Sequence, residues 1–368
     1  MSALAVELKA LIRAEGPLPV DRFMALALGH PRHGYYMTRD PLGAGGDFVT
    51  APEISQVFGE LIGVWAAAAW EALGRPASVN LVELGPGRGT LMADMLRAAQ
   101  ALPAFRAALS VHLVETSPVL AERQRETLAG AGLPCAWHRD LSMVPPGPTI
   151  LVANEFLDAL PVRQFVMTPQ GWRERLVGLV DGALAFGLAR DPVPLEVIPA
   201  ALREAPEGAV TEICPAFRSL AATLAGRDSP LAALFVDYGH VRSGHGETLQ
   251  AVKAHRYADP LAAPGEADLT AHVDFEAFAG ALTEAGLAAG APVTQRALLF
   301  GLGLRERAER LAQARPGSFE TLRAGIERLI DPAPAGMGSL FKAMGVASST
   351  PLLDACRPSP DGRRRRAD

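Results

Sequence analysis

Three observations predict an α/β fold built on a doubly wound, mostly parallel sheet. Leu81-Val82-Glu83-Leu84 is an apolar run that breaks at Gly85-Pro86-Gly87-Arg88-Gly89 and resumes at Thr90-Leu91 with helical spacing. A second apolar run, Ser110 to Val114, ends at Glu115 after an intervening helix over Leu91 to Leu109, which makes a β–α–β unit. Residues 162–214 carry short alternating runs, which predicts an antiparallel β unit inserted among the parallel strands. The expected architecture is therefore Rossmann-like, with a helical cap in front.

Taken in order, residues 1–75 form that cap. Leu4, Leu8 and Leu11 share one helical face, and Gly43, Gly45 and Gly46 mark a hinge-like loop over Gly43–Pro52. Pro52 opens a helix whose apolar positions are Ile54, Phe58, Leu61 and Trp65. Residues 76–161 carry the first sheet strands, the third being Pro134 to His138 and the fourth Thr149 to Glu155. Ser117 caps a helix that starts at Pro118. In the insert, residues 162–214, the strands are Arg163–Met167, Trp172–Val180 and Ala209–Cys214, and its place directly after the fourth strand makes it the expected substrate-binding unit. The sheet resumes within residues 215–350 at Leu231–Gly239. It closes with an antiparallel pair, Pro292–Leu298 and Ser339–Val346, while Asp274–Ala285, Leu302–Ala314 and Ser318–Ile330 are helices. Residues 351–368, with Pro358, Pro360 and four arginines at Arg363–Arg366, read as a disordered tail.

The glycine turn is a ligand cradle. Gly85, Gly87 and Gly89 leave no Cβ to block a ligand from the backbone, and Pro86 and Thr90 complete the passage into the helix N-terminus. Glu83 narrows the ligand, because a carboxylate there repels a phosphate and attracts an ammonium. That favours S-adenosyl-L-methionine (SAM), with S-adenosyl-L-homocysteine as product, over a dinucleotide. The dinucleotide fingerprint would also need glycine where Thr90 stands. A tight connection that binds nothing is the bland alternative. Strand-end acids argue against it: Glu115 is placed to accept both ribose hydroxyls, and Asp140 to take the adenine amino group. Asn154 and Glu155 end the fourth strand, Asp158 follows it, and all three suit the grip of a nitrogen nucleophile. The loop at Gly43–Pro52 would close over the donor with Asp47, Thr50 and Glu53 facing the site. Asp158 could equally serve a helix N-terminus. His272 and His240 are weaker candidates as bases.

Six blocks resemble the MidA-like methyltransferases, the mitochondrial complex I assembly factors and their bacterial relatives. They are His33-Gly34-Tyr35-Tyr36, Gly46 to Gln56, Glu83 to Leu91, Asn154 to Pro161, Val236-Asp237-Tyr238-Gly239 and Asp268 to Phe275, spread over roughly His30 to Ala347. The resemblance implies a class I SAM-dependent methyltransferase whose acceptor is a protein arginine, by analogy a subunit of respiratory complex I. A guanidinium stays charged and can be held bidentately by carboxylates, Glu155 with Asp158 or either with Asp47. Two competing readings are a small-molecule methyltransferase and a SAM-binding assembly chaperone with little turnover.

Composition agrees with an enzyme that has no nucleic-acid footprint and no membrane span. The net charge is −5, and no apolar run approaches the roughly 20 residues of a membrane span. Cys135, Cys214 and Cys356 are scattered and suggest neither a disulfide framework nor a zinc site. The N-terminal segment reads as a docking helix, and no signal or transit peptide is evident, so the expected location is cytoplasmic.

Overall fold

The computed structural model describes residues 2–40, 43, 47, 49–314, 317 and 319–357. Gly45, Gly46 and the Arg363–Arg366 tail lie outside them. The central sheet contains β1 (Val79–Leu84), β2 (Leu109–Val114), β3 (Cys135–His138) and β4 (Thr149–Asn154). The insert supplies β5 (Arg163–Thr168), β6 (Gly171–Val180), β7 (Ala183–Leu188) and β8 (Val210–Ile213). β9 (Leu231–His240) and β10 (Phe341–Ala347) complete the central sheet. Its order is β3-β2-β1-β4-β9-β10. All neighbours pair in parallel except β10, which runs antiparallel to β9.

Register then sets the site. Leu84 pairs with Val114 on one side and Ala153 on the other, and Asn154 pairs with Val236. The carboxyl ends of β1, β2, β4 and β9 therefore sit side by side, where ligands of open α/β sheets bind.

Helices cover both faces. On one, Gln56–Ala72 crosses Thr90–Ala99, with Phe58, Trp65 and Met95 buried between helix and sheet. The helices approach so closely that a Cβ at Gly63 would stand 2.9 Å from the Ala98 Cβ. On the other face, Ala216–Ala225 and Phe275–Glu284 pack over the sheet through Phe217, Phe235 and Phe278. The ring centroids of these three lie 4.9 and 5.0 Å apart along the chain of contacts.

The insert forms its own antiparallel sheet with a small core of Phe165, Trp172, Ile198 and Leu202. The cap helix Ala3–Glu15 buries Leu4 and Leu8, and Leu18–Pro19, shortly after it, add a short edge strand to β6.

Four local expectations are corrected. The tail expected to be disordered from residue 351 begins with a helix, Thr350–Ala355, that buries Leu353. The segment at Pro292–Leu298 is chiefly a helix, Gln295–Gly301, capped by Thr294 and preceded by a two-residue bridge to β10. The stretch after the glycine turn is two helices, Thr90–Ala99 and Pro103–Ala108, because proline starts a new helix more readily than it continues one. The helix after Pro52 stops at Ile54, and Ser55 recaps it by accepting from the Val57 amide.

Candidate functional site

Beyond the ends of β1, β2 and β4 lies a cavity of about 310 Å³. Glu83, Gly85, Pro86, Gly87, Thr90, Glu115, Asn154 and Glu155 line it, and Thr50 and Glu53 enter from the cap. Gly85 (φ +59°) and Gly87 (φ +54°) are in the left-handed region that favours glycine, so the turn can wrap a ligand without strain. Gly89 is left-handed too (φ +80°), but it faces the helix behind: a Cβ there would meet Gln124 Cα at 3.4 Å.

The acids of the cavity are prepared for different partners. Glu83 is 3% exposed and lines the cavity, yet its Oε2 has no hydrogen-bond partner. Burial drives its pKa well up, with the carboxylates of Asp94 and Glu115 adding to the effect. A bound ammonium would satisfy both the lone pair and the charge. Glu115 accepts from the Ser117 amide (2.7 Å) and from Gln124 Nε2 (3.1 Å), which leaves further lone pairs for ligand hydroxyls. Gln124 also donates to the Gly87 carbonyl (2.8 Å) and accepts from Trp137 (2.9 Å), so one amide locks Glu115 to the turn. The residues present fit the donor: an orphaned acid for its ammonium, an anchored acid for its ribose, and an open backbone between.

The cap closes on this turn through Arg88, which the sequence reading did not single out. Its guanidinium bonds Asp40 Oδ2 at 2.8 Å and stands 3.7 Å from Glu53 Oε2. Glu53 also accepts from the Thr90 hydroxyl. Tyr36 enters the cavity from the cap, its hydroxyl donating to Asp268 at 2.8 Å. Nothing in the glycine-turn pattern could reveal Tyr36, which reaches the site only through tertiary packing.

At the end of β4, Glu155 adopts a left-handed backbone (φ +52°), a costly conformation for a side chain with a Cβ. It turns the carboxylate so that Oε1 accepts from the Ala51 amide and from Asn154 Nδ2, both at 3.0 Å. Burial raises its pKa to about 7 against those hydrogen bonds. Asn154 is 8% exposed, and its Oδ1 has no partner although the residue lines the cavity.

Four expected site residues are not in the lining: Gly89, which faces Gln124, and three acids. Asp140 is exposed and caps a short 3-10 turn, and hydrogen bonds from the Ser142 hydroxyl and then the Ser142 amide (2.8 Å) hold its pKa low. Asp47 is tied on both oxygens, to the Tyr35 hydroxyl and the Ala254 amide, each at 2.7 Å, so it anchors the cap loop to the hairpin at Ala254. Asp158 is buried behind the cavity wall, where burial raises its pKa and a hydrogen bond from Tyr238 opposes the rise. His240 and His272 line a different cavity. The His272 ring packs edge-on against Tyr238 at 5.4 Å.

With this geometry established, known proteins can be compared. A family model described as S-adenosyl-L-methionine-dependent methyltransferase matches residues 61–293. The mitochondrial protein arginine methyltransferase NDUFAF7 of Mus musculus is 38% identical over 362 residues, covering 90% of this chain and 82% of its own. The Drosophila melanogaster homolog is 37% identical over 374 residues, 93% of this chain and 84% of its own. A Burkholderia thailandensis protein bound to S-adenosyl-homocysteine superposes with a TM-score of 0.84 at 32% identity, covering 96% and 94% of the two chains. The expected cytoplasmic location is corrected by these comparisons, since the curated relatives are mitochondrial proteins. Among the described residues no helix is long and apolar enough to cross a membrane.

Proposed function

The chain belongs to the S-adenosyl-L-methionine-dependent methyltransferase family, and from that premise we propose that it methylates an arginine side chain of a protein. The observation that carries the acceptor assignment is the Asn154–Glu155 pair. It presents an unpartnered buried carbonyl oxygen beside a carboxylate, in the cavity that fits the donor.

When bound, the donor supplies a sulfonium methyl open to in-line displacement. The protein's task is to bring a nitrogen to it and to take away a proton. Asn154 Oδ1 and Glu155 accept hydrogen bonds from a guanidinium and orient one of its nitrogens. As the N–C bond forms and the C–S bond breaks, that nitrogen loses a proton. Glu155, with its pKa near 7, receives it. The resemblance of the sequence blocks supports a respiratory complex I subunit as acceptor, and hence a role in complex I assembly. The relatives named as protein arginine methyltransferases support the arginine.

The test is incubation of the protein with isotopically labelled SAM and a lysate of its source lacking the gene, followed by mass spectrometry. A label on an arginine of a complex I subunit is the expected result. A labelled metabolite would show a small-molecule enzyme instead. Tight SAM binding with no labelled product would show a chaperone.

A further inference from the structure

We infer that a second cavity, beyond the end of β9, holds the polypeptide chain of the acceptor protein next to the arginine being methylated. This rests on the reading of the acceptor as a protein arginine. The cavity measures about 890 Å³, nearly three times the first. It lies between the insert, the end of β9 and the helix Phe275–Glu284, with Val162, Phe165, Phe217, His240 and Gly280 in its lining.

Three observations assign the occupant. First, the two cavities share one wall. Phe156, Ala159, Leu160 and Pro161 line the first, while Leu157 and Val162, from the same segment, line the second. Asp237 on β9 holds that wall: its Oδ2 accepts from the amides of Phe156, Leu157 and Asp158 at 3.0, 2.8 and 3.2 Å. Second, the strand order β1-β4-β9 puts the donor cradle and this cavity on opposite sides of Asn154 and Glu155. An arginine reaching that pair from the β9 side brings its neighbours along the second cavity. Third, the lining suits an extended peptide. Buried Phe165 and Phe217 provide an apolar floor for side chains, and the loop at Arg242–Thr248 provides polar groups for a backbone.

Gly280 offers the test. It is exposed, lines the cavity and has nothing within 4 Å of the position a Cβ would take, so a side chain can be added at the cavity wall. Label incorporation from SAM is followed while the gene-deficient lysate is titrated, with SAM affinity measured separately. Gly280→Trp is expected to raise the half-saturating lysate concentration by about tenfold or more, with SAM affinity unchanged. Val6→Trp, on the exposed face of the N-terminal helix, is the control and should leave both values in place. Unchanged half-saturation for Gly280→Trp, while the unmodified protein labels arginine, would overturn the docking site alone. If the unmodified protein labels no protein arginine, the acceptor reading falls and this proposal falls with it.

Discussion

Burying Glu83 at the end of β1 disfavours its charged form and so works against folding whenever SAM is absent. A bound ammonium would offset that cost. Glu83→Gln should therefore raise the thermal midpoint of the ligand-free protein near neutral pH and weaken SAM binding. A charge-assisted hydrogen bond contributes about 1.5–3 kcal/mol, so the dissociation constant should rise roughly ten- to a hundredfold. Calorimetric titration beside thermal unfolding checks both, and an affinity within about twofold of the original would remove Glu83 from the site. For Glu155, burial places the proton acceptor near neutrality, so turnover should rise with pH through about 7 as the carboxylate deprotonates. Glu155→Gln should lose that inflection and about 10²–10⁴-fold in rate, with SAM affinity retained. Unchanged turnover would exclude the role. Glu83, Glu115 and the Asn154–Glu155 pair were legible because each ends an apolar strand, and strand ends of a parallel sheet converge. Asp140 misled for a local reason: Ser142, two residues on, captures its carboxylate. Asp47 misled for a distant one, since its partner amide at Ala254 is 207 residues away.

The helix Pro118–Leu128 shows how an element transmits its cap to the site. Ser117 accepts from the Leu120 amide at 3.2 Å, and its hydroxyl donates to the Tyr36 carbonyl at 2.6 Å. One side chain thus fixes the helix start and ties it to the cap, and the helix in turn carries Gln124 to Glu115 and Gly87. Ser117→Ala should cost about 1 kcal/mol in urea unfolding and weaken SAM binding, and Ser117→Thr should restore much of both. A stability loss with SAM affinity untouched would show that Gln124 is placed independently of the cap. This helix was readable because Ser-Pro is a strong start signal. The segment after Pro292 was not, because short apolar runs do not separate strand from helix. There, the Thr294 cap decided for helix.

Across the whole molecule, the parallel strands were legible because each is an apolar run, while their order in the sheet comes only from the fold. The edge strand Leu18–Pro19 was not, since two residues carry no period; its pairing with β6 comes only from the folded cap. The same convergence of distant segments concentrates acid near the site. Asp158 comes from the segment after β4, Asp237 from β9 and Asp268 from the strand Asp268–Thr270; all three are buried with raised pKa values. Asp268 is pushed up to about 8 by burial and then by Asp158. A group whose folded pKa exceeds its unfolded one binds more protons when folded, so stability falls as pH rises between the two values. Histidines act the other way at lower pH. Burial lowers His112, His138 and His272, so folding gains as pH rises toward about 6.5, where they are neutral in both states. Above that point the raised carboxylates are left to set the slope. The ligand-free protein should therefore lose stability between about pH 7 and 8.5, read as a falling urea midpoint at constant slope. Asp268→Asn keeps an acceptor for the Tyr36 hydroxyl while removing the charge, so it should flatten that decline. A midpoint that rises over this range, or a decline unaffected by Asp268→Asn, would mean that the cluster does not hold its protons in the folded state.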